Sequence, residues 1–134
     1  QFGRSLLARI ARLAGRGRSI DDAEVHMPLR SAPLGRTLGC LGVGASTGGI
    51  HALMRLFAGI EAPLGVPILV TQHLPPSFIP YFAAQMGRAT ELPVTVAQAG
   101  EVLKPDHIYI APGEANLECR RAGSIVTVHL TSER

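Results

Sequence analysis

The sequence predicts an α/β domain built on a parallel sheet, with a short β-rich insertion. Three observations carry that prediction. Two apolar runs, residues 38–43 and 66–71, each end in a turn-forming or polar segment. Each is followed by a stretch with apolar residues at helical spacing. Beyond residue 92 the period shortens to brief β-like runs separated by turn residues. Strand, helix, strand, helix and then short strands is the order of a parallel sheet with crossover helices and an added β element.

The elements follow in order. Leu6, Ile10 and Leu13 fall at helical spacing, with Arg9, Arg12 and Arg16 on another side, which predicts a basic amphipathic helix over residues 1–18. Its arginines and serines fit a targeting peptide, but neither an initiating Met nor a small-residue cleavage signature is present, so a linker or docking helix is preferred. Residues 19–36, with Pro28, Pro33 and Gly35, read as an interdomain linker. The regular fold is expected over 37–134. Its first strand runs from Leu38 to Val43 and enters the turn Gly44-Ala45-Ser46-Thr47-Gly48-Gly49. Ile50, Leu53, Met54 and Phe57 then mark one helix face, with Gly59 placed to end it. Val66 to Thr71 is a second strand, leaving Gln72-His73-Leu74-Pro75-Pro76 at its carboxyl end. Ser77 is expected to cap a helix carrying Ile79, Phe82 and Met86, with Pro80 in its first turn. Strands are expected over Pro93–Ala97 and His107–Ala111. A last strand over Ser124–Leu130 should pair, through a turn at Gly123, with residues near Leu117 and Cys119.

Composition removes several classes of protein. With 134 residues, 46% apolar and 17% charged, the chain suits one globular domain, or one domain with an extension, and not a disordered segment. No apolar run approaches 18 residues, so membrane insertion is not expected. Two cysteines, Cys40 and Cys119, support neither a disulfide framework nor a four-ligand zinc site. Residues 1–36 hold seven Arg against three acids, a net charge of +4, whereas residues 37–134 hold six basic against seven acidic side chains, a net of −1. The body has no basic stripe and few aromatics for base stacking, which argues against nucleic-acid binding.

Gly44-Ala45-Ser46-Thr47-Gly48 fits G-x-S-x-G between a predicted strand and helix. That setting exposes a serine hydroxyl above the sheet and turns the following N–H groups toward a developing oxyanion. Backbone donors near Thr47 and Gly48 are the candidates for that task. A generic anion loop explains the glycines equally well at this point. The specific nucleotide readings fit less: no Lys follows the loop, and the second strand ends in Gln72-His73 instead of an acid. His73 favours the nucleophile. It follows strand two as Ser46 follows strand one, so both can face one crevice, where an imidazole can take the serine proton. His26, His51, His107 and His129 read as surface or capping residues, no pair has zinc-helix spacing, and no metal is expected. Cys40 reads as a small buried core residue, and Cys119 carries no assignment.

Three blocks add a resemblance: Gly44-Ala45-Ser46-Thr47-Gly48-Gly49, then Thr71-Gln72-His73-Leu74-Pro75-Pro76 with Phe78, then His107-Ile108-Tyr109-Ile110-Ala111-Pro112-Gly113. In this order and spacing, the stretch from Thr37 to Leu130 resembles the catalytic domain of bacterial chemotaxis protein-glutamate methylesterases, the CheB family. The resemblance implies a three-layer, Rossmann-like parallel sheet and a Ser/His/Asp triad, with Ser46 as nucleophile and His73 as base. It implies no cofactor, a cytoplasmic location, and methylated glutamates of chemoreceptor signalling helices as substrate, with receptor glutamines deamidated by many members. It also implies a phosphorylatable receiver domain upstream, joined by residues 1–36. The family's aspartate lies in a glycine-rich stretch beyond the third block, and Asp21, Asp22 and Asp106 do not match that stretch. The catalytic domain is thus expected to be represented by its N-terminal portion, incomplete at its C-terminus and weak or inactive alone. Two other classes compete: a non-catalytic receptor-binding or regulatory module on the same fold, and nucleotide binding by the glycine loop.

Overall fold

The computed structural model describes residues 38–60 and 63–132. The chain divides after Arg36 into two units, and every element described here belongs to the second. The helix and linker expected over residues 1–36 lie outside the described residues.

Strand β1 (Leu41–Ala45) alternates half-buried Leu41, Val43 and Ala45 with exposed Gly42 and Gly44. It begins three residues later than the apolar run suggests, because the ladder sets its limits: it pairs in parallel with β2 (Ile68–Gln72) from Leu41↔Ile68 to Ala45↔Gln72. Cys40 therefore precedes the strand and is exposed, which corrects the expectation of a buried core residue. Helix α1 (Gly49–Ala58) buries Gly49, Leu53 and Phe57, and Gly59 closes it, the Gly59 N–H donating to the Leu56 carbonyl and the Ile60 N–H to that of Phe57. Between β2 and helix α2 (Ile79–Ala89), Pro76–Phe78 form a 3-10 turn. That turn absorbs Ser77, which is exposed, and Phe78 takes the cap position with no side-chain cap bond. Ser77 is thus no helix cap: the chain is already helical through it, and a capping side chain needs an extended backbone.

Strands β3 (Val94–Val96) and β4 (Ile108–Ile110) complete a four-stranded parallel sheet in the order β1-β2-β4-β3. Side chains two apart on a strand share a face. Ile68 and Val70 of β2 and Ile108 and Ile110 of β4 therefore meet Leu53, Phe57, Ile79, Phe82 and Met86 of the two helices in one core. Tyr109 and Leu69 point the other way. There the antiparallel hairpin of β5 (Asn116–Ala122) and β6 (Ile125–Thr131) covers them with Val128, Leu117, Val126 and Leu130. The expected pairings of Leu117 and Cys119 are found opposite Leu130 and Val128. The layers are helices, parallel sheet and hairpin, so the insertion forms the third layer among the described residues. No described helix is long and apolar enough to cross a membrane.

Candidate active site

The carboxyl ends of β1 and β2 position the chemistry. Ala45↔Gln72 is the last register pair, and the next residues along the two chains are Ser46 and His73. The His73 N–H still donates to the Ala45 carbonyl at 3.1 Å, which holds the two chain ends together past the ladder. Both residues are exposed, and both line a cavity of about 460 Å³ with Thr47, Gly48, His51 and Leu74. Among the described residues, no side-chain hydrogen bond joins the Ser46 hydroxyl to the His73 ring.

The turn between β1 and α1 has a definite form. The Gly49 N–H donates to the Ser46 carbonyl at 2.8 Å, and Gly48 takes φ 78° and ψ −8°. Those values belong to the third position of a type II turn, where a side chain is disfavoured. The Gly49 N–H is committed to closing the turn. Those of Thr47 and Gly48 precede the helix, at the end where its dipole is positive.

Gln72 lies beneath this turn. Its position continues the Ile68, Val70 face of β2, so its side chain points to the helix layer, and only 5% of the residue is exposed. Its Nε2 donates to the Ser46 carbonyl at 2.9 Å.

A CheB methylesterase family profile matches residues 41–134. The chain belongs to the CheB methylesterase family. A Pseudomonas aeruginosa protein named protein-glutamate methylesterase/protein-glutamine glutaminase 2 is 35% identical over 97% of this chain and 36% of its own length. A Halalkalibacterium halodurans relative named protein-glutamate methylesterase/protein-glutamine glutaminase is 36% identical over 81% of this chain and 31% of its own length. The crystal structure of the Thermotoga maritima CheB methylesterase catalytic domain superposes with a TM-score of 0.69 at 31% identity, covering 74% of this chain and 52% of that one. The chain therefore spans about a third of the length of these curated CheB relatives and about half of the solved catalytic domain.

Among the described residues, the CheB fold places the remaining candidates apart from this cavity, with one exception, while Asp21, Asp22 and His26 lie outside the described residues. Asp106 sits before β4, at the far end of the sheet from His73, where its Oδ1 accepts from the Leu64 and Gly65 N–H groups at 2.6 and 2.9 Å. His107 is half-buried and not a surface group: its ring stacks on Tyr109 at 4.3 Å, and its Nε2 lies 2.9 Å from the Thr95 hydroxyl. Burial holds its pKa below the usual histidine value, with Glu101 opposing and Lys104 assisting. His51 is the exception, for it lines the Ser46 cavity from α1. Gly42 and Gly44 are ladder residues of β1, so only Gly48 and Gly49 of the glycine run shape the turn. No group of three or more potential metal-ligating His, Cys, Asp or Glu side chains occurs among the described residues. Gln72 is the site residue that motif reading passes over, although its even spacing from Ile68 and Val70 marks the buried face.

Proposed function

We propose that the protein carrying this chain is a protein-glutamate methylesterase, a serine hydrolase acting on methylated glutamates of chemoreceptor signalling helices in the cytoplasm. One observation carries the reading: Ser46 and His73 directly follow a register pair on adjacent parallel strands and line one cavity. His73 takes the proton of the Ser46 hydroxyl as its oxygen attacks the side-chain ester carbonyl. The Thr47 and Gly48 N–H groups receive the oxyanion of the tetrahedral intermediate. The intermediate collapses to an acyl-enzyme as His73 returns the proton to the departing methoxide, releasing methanol. Water, deprotonated by His73, then attacks the acyl-enzyme and frees the glutamate and Ser46. With a glutamine side chain the same steps release ammonia, which is the glutaminase activity named in the relatives.

Asp106 does not orient the imidazole, because it is committed at the opposite end of the sheet; the half of the solved catalytic domain that this chain does not cover supplies the orienting aspartate. No cofactor enters any step. Residues 1–36 serve as the tether to a receiver domain, and residues 37–134 as the N-terminal portion of the catalytic domain. The experiment uses the full-length protein and a methylated receptor fragment, following methanol release. Ser46→Ala and His73→Ala each lower kcat by roughly 10⁴-fold or more, and the double variant is hardly worse than either, because nucleophile and base act as a unit. Near wild-type turnover in either single variant removes that residue from the mechanism.

A further inference from the structure

We infer that Gln72 is a positioning residue that aims the Thr47 N–H at the oxyanion, by holding the Ser46 carbonyl from beneath. The inference rests on the esterase reading above and adds to it a residue with no part in the proton transfers. The Ser46 carbonyl and the Thr47 N–H belong to one peptide plane, and in a trans peptide they point in opposite directions. Two donors converge on that carbonyl: the Gly49 N–H at 2.8 Å and Gln72 Nε2 at 2.9 Å. With its oxygen held toward the interior, the plane has one orientation left, and its N–H faces away from Gln72. The residue after the nucleophile is the one whose N–H serves this purpose in strand-turn-helix serine hydrolases.

Two further observations set Gln72 apart from an ordinary core residue. Its Oε1 is buried and accepts no hydrogen bond from the described residues. A buried acceptor left unpaired lowers stability, and native structures hold few of them. An apolar side chain of the same length would avoid that cost, so packing alone does not call for an amide here. The second observation is Gly49, where a Cβ would collide with Gln72 Oε1 and the Ala45 side chain. The first residue of α1 is thus kept bare at the point where the amide fits beneath the turn.

The test again uses the full-length protein and the methylated receptor fragment. Gln72→Met removes the donor, keeps the volume and abolishes the orphaned acceptor. We expect kcat to fall about 10- to 100-fold, below the loss for deleting an oxyanion donor outright. KM should stay within about threefold, since the effect arises only in the transition state. The melting temperature should fall by no more than about 3 °C. Gln72→Glu supplies a donor only while its carboxyl is protonated, so the ratio of its kcat to the wild-type kcat should rise as pH falls. His51, His73 and Glu114 are the titratable groups lining the cavities that Gln72 touches, and all three are present in both proteins. Wild-type kcat in Gln72→Met overturns the inference, as does a loss confined to KM or a pH-independent Gln72→Glu ratio. Should Gln72→Met fail to fold, the Gln72→Glu ratio decides alone. Ser46→Ala serves as the control that separates the two readings. If it retains turnover, or if the wild type has none, the esterase reading fails and this inference with it. If it is inactive and Gln72→Met is not impaired, only the role of Gln72 fails.

Discussion

At the residue scale, two positions outside the proposed proton path have measurable roles. Gly48 holds a left-handed φ of 78° to turn the chain from β1 into α1. A Cβ there meets no neighbour, so the cost of Gly48→Ala is conformational, roughly 1–2 kcal/mol. The denaturation midpoint should drop accordingly, and turnover of the full-length protein should drop with it, as the turn relaxes away from the cavity. Asp106 is also left-handed, with φ 54°, and accepts two backbone N–H bonds from the segment leading into β2. Asp106→Ala removes that acceptor from an exposed segment that water can reach and should cost about 1 kcal/mol. Asp106→Asn keeps an acceptor oxygen and tolerates the same φ, so chemical denaturation should place it between the two. Equal losses for Ala and Asn would show that the acceptor contributes little.

At the element scale, the loop between β3 and β4 is tied to both strands through His107 and Tyr109. The His107 ring bridges Thr95 of β3 and Tyr109 of β4, while the Tyr109 hydroxyl accepts from the Lys104 N–H at 2.9 Å and donates to the Val102 carbonyl at 3.3 Å. Burial lowers the His107 pKa, so the unfolded chain takes up the proton more readily than the native one. The sign follows from that difference. The stabilising contribution is complete above about pH 6.5, the unfolded value, declines as pH falls toward the lowered native value, and stops changing below it. Thermal melts between pH 5 and 8 should therefore show an acid-side decline that is shallower in His107→Gln. Identical slopes would remove His107 as its source. Because the ring is only half-buried, the effect is small beside the loss of a core side chain.

At the scale of the whole molecule, the helix layer and the hairpin layer bury opposite faces of one parallel sheet, and the Ser46 cavity opens at its carboxyl edge. Among the described residues β1 pairs on one side only, with β2. The half of the solved relative that this chain does not cover is the place to seek both a neighbour for that edge and the orienting carboxylate. An imidazole without such a carboxylate loses about 10⁴ in turnover even when its geometry is intact. We expect the 134-residue chain, assayed alone on the methylated receptor fragment, to be at least about 10⁴-fold slower than the full-length protein. An open parallel edge also favours self-association, which sedimentation should detect. Comparable turnover for the two would show that the site is completed within these residues.

What the sequence determined by itself was local in origin. Helical spacing placed Leu53, Phe57, Phe82 and Met86 on buried faces, and turn chemistry put Ser46 and His73 just past two strand ends. Hairpin pairing followed from alternation around Gly123, since side-chain period and turn type depend on near neighbours in the chain. Tertiary structure decided whatever depends on a partner far along the chain. Register between β1 and β2 moved the strand off Cys40 and left that thiol exposed. The 3-10 turn took Ser77 out of the cap, and packing on Tyr109 drew His107 inward. Gln72 shows the same division within a single residue. Its face could be counted from Ile68 and Val70, but its bond to the Ser46 carbonyl exists only because a parallel register sets β2 beside a strand that ends 27 residues earlier.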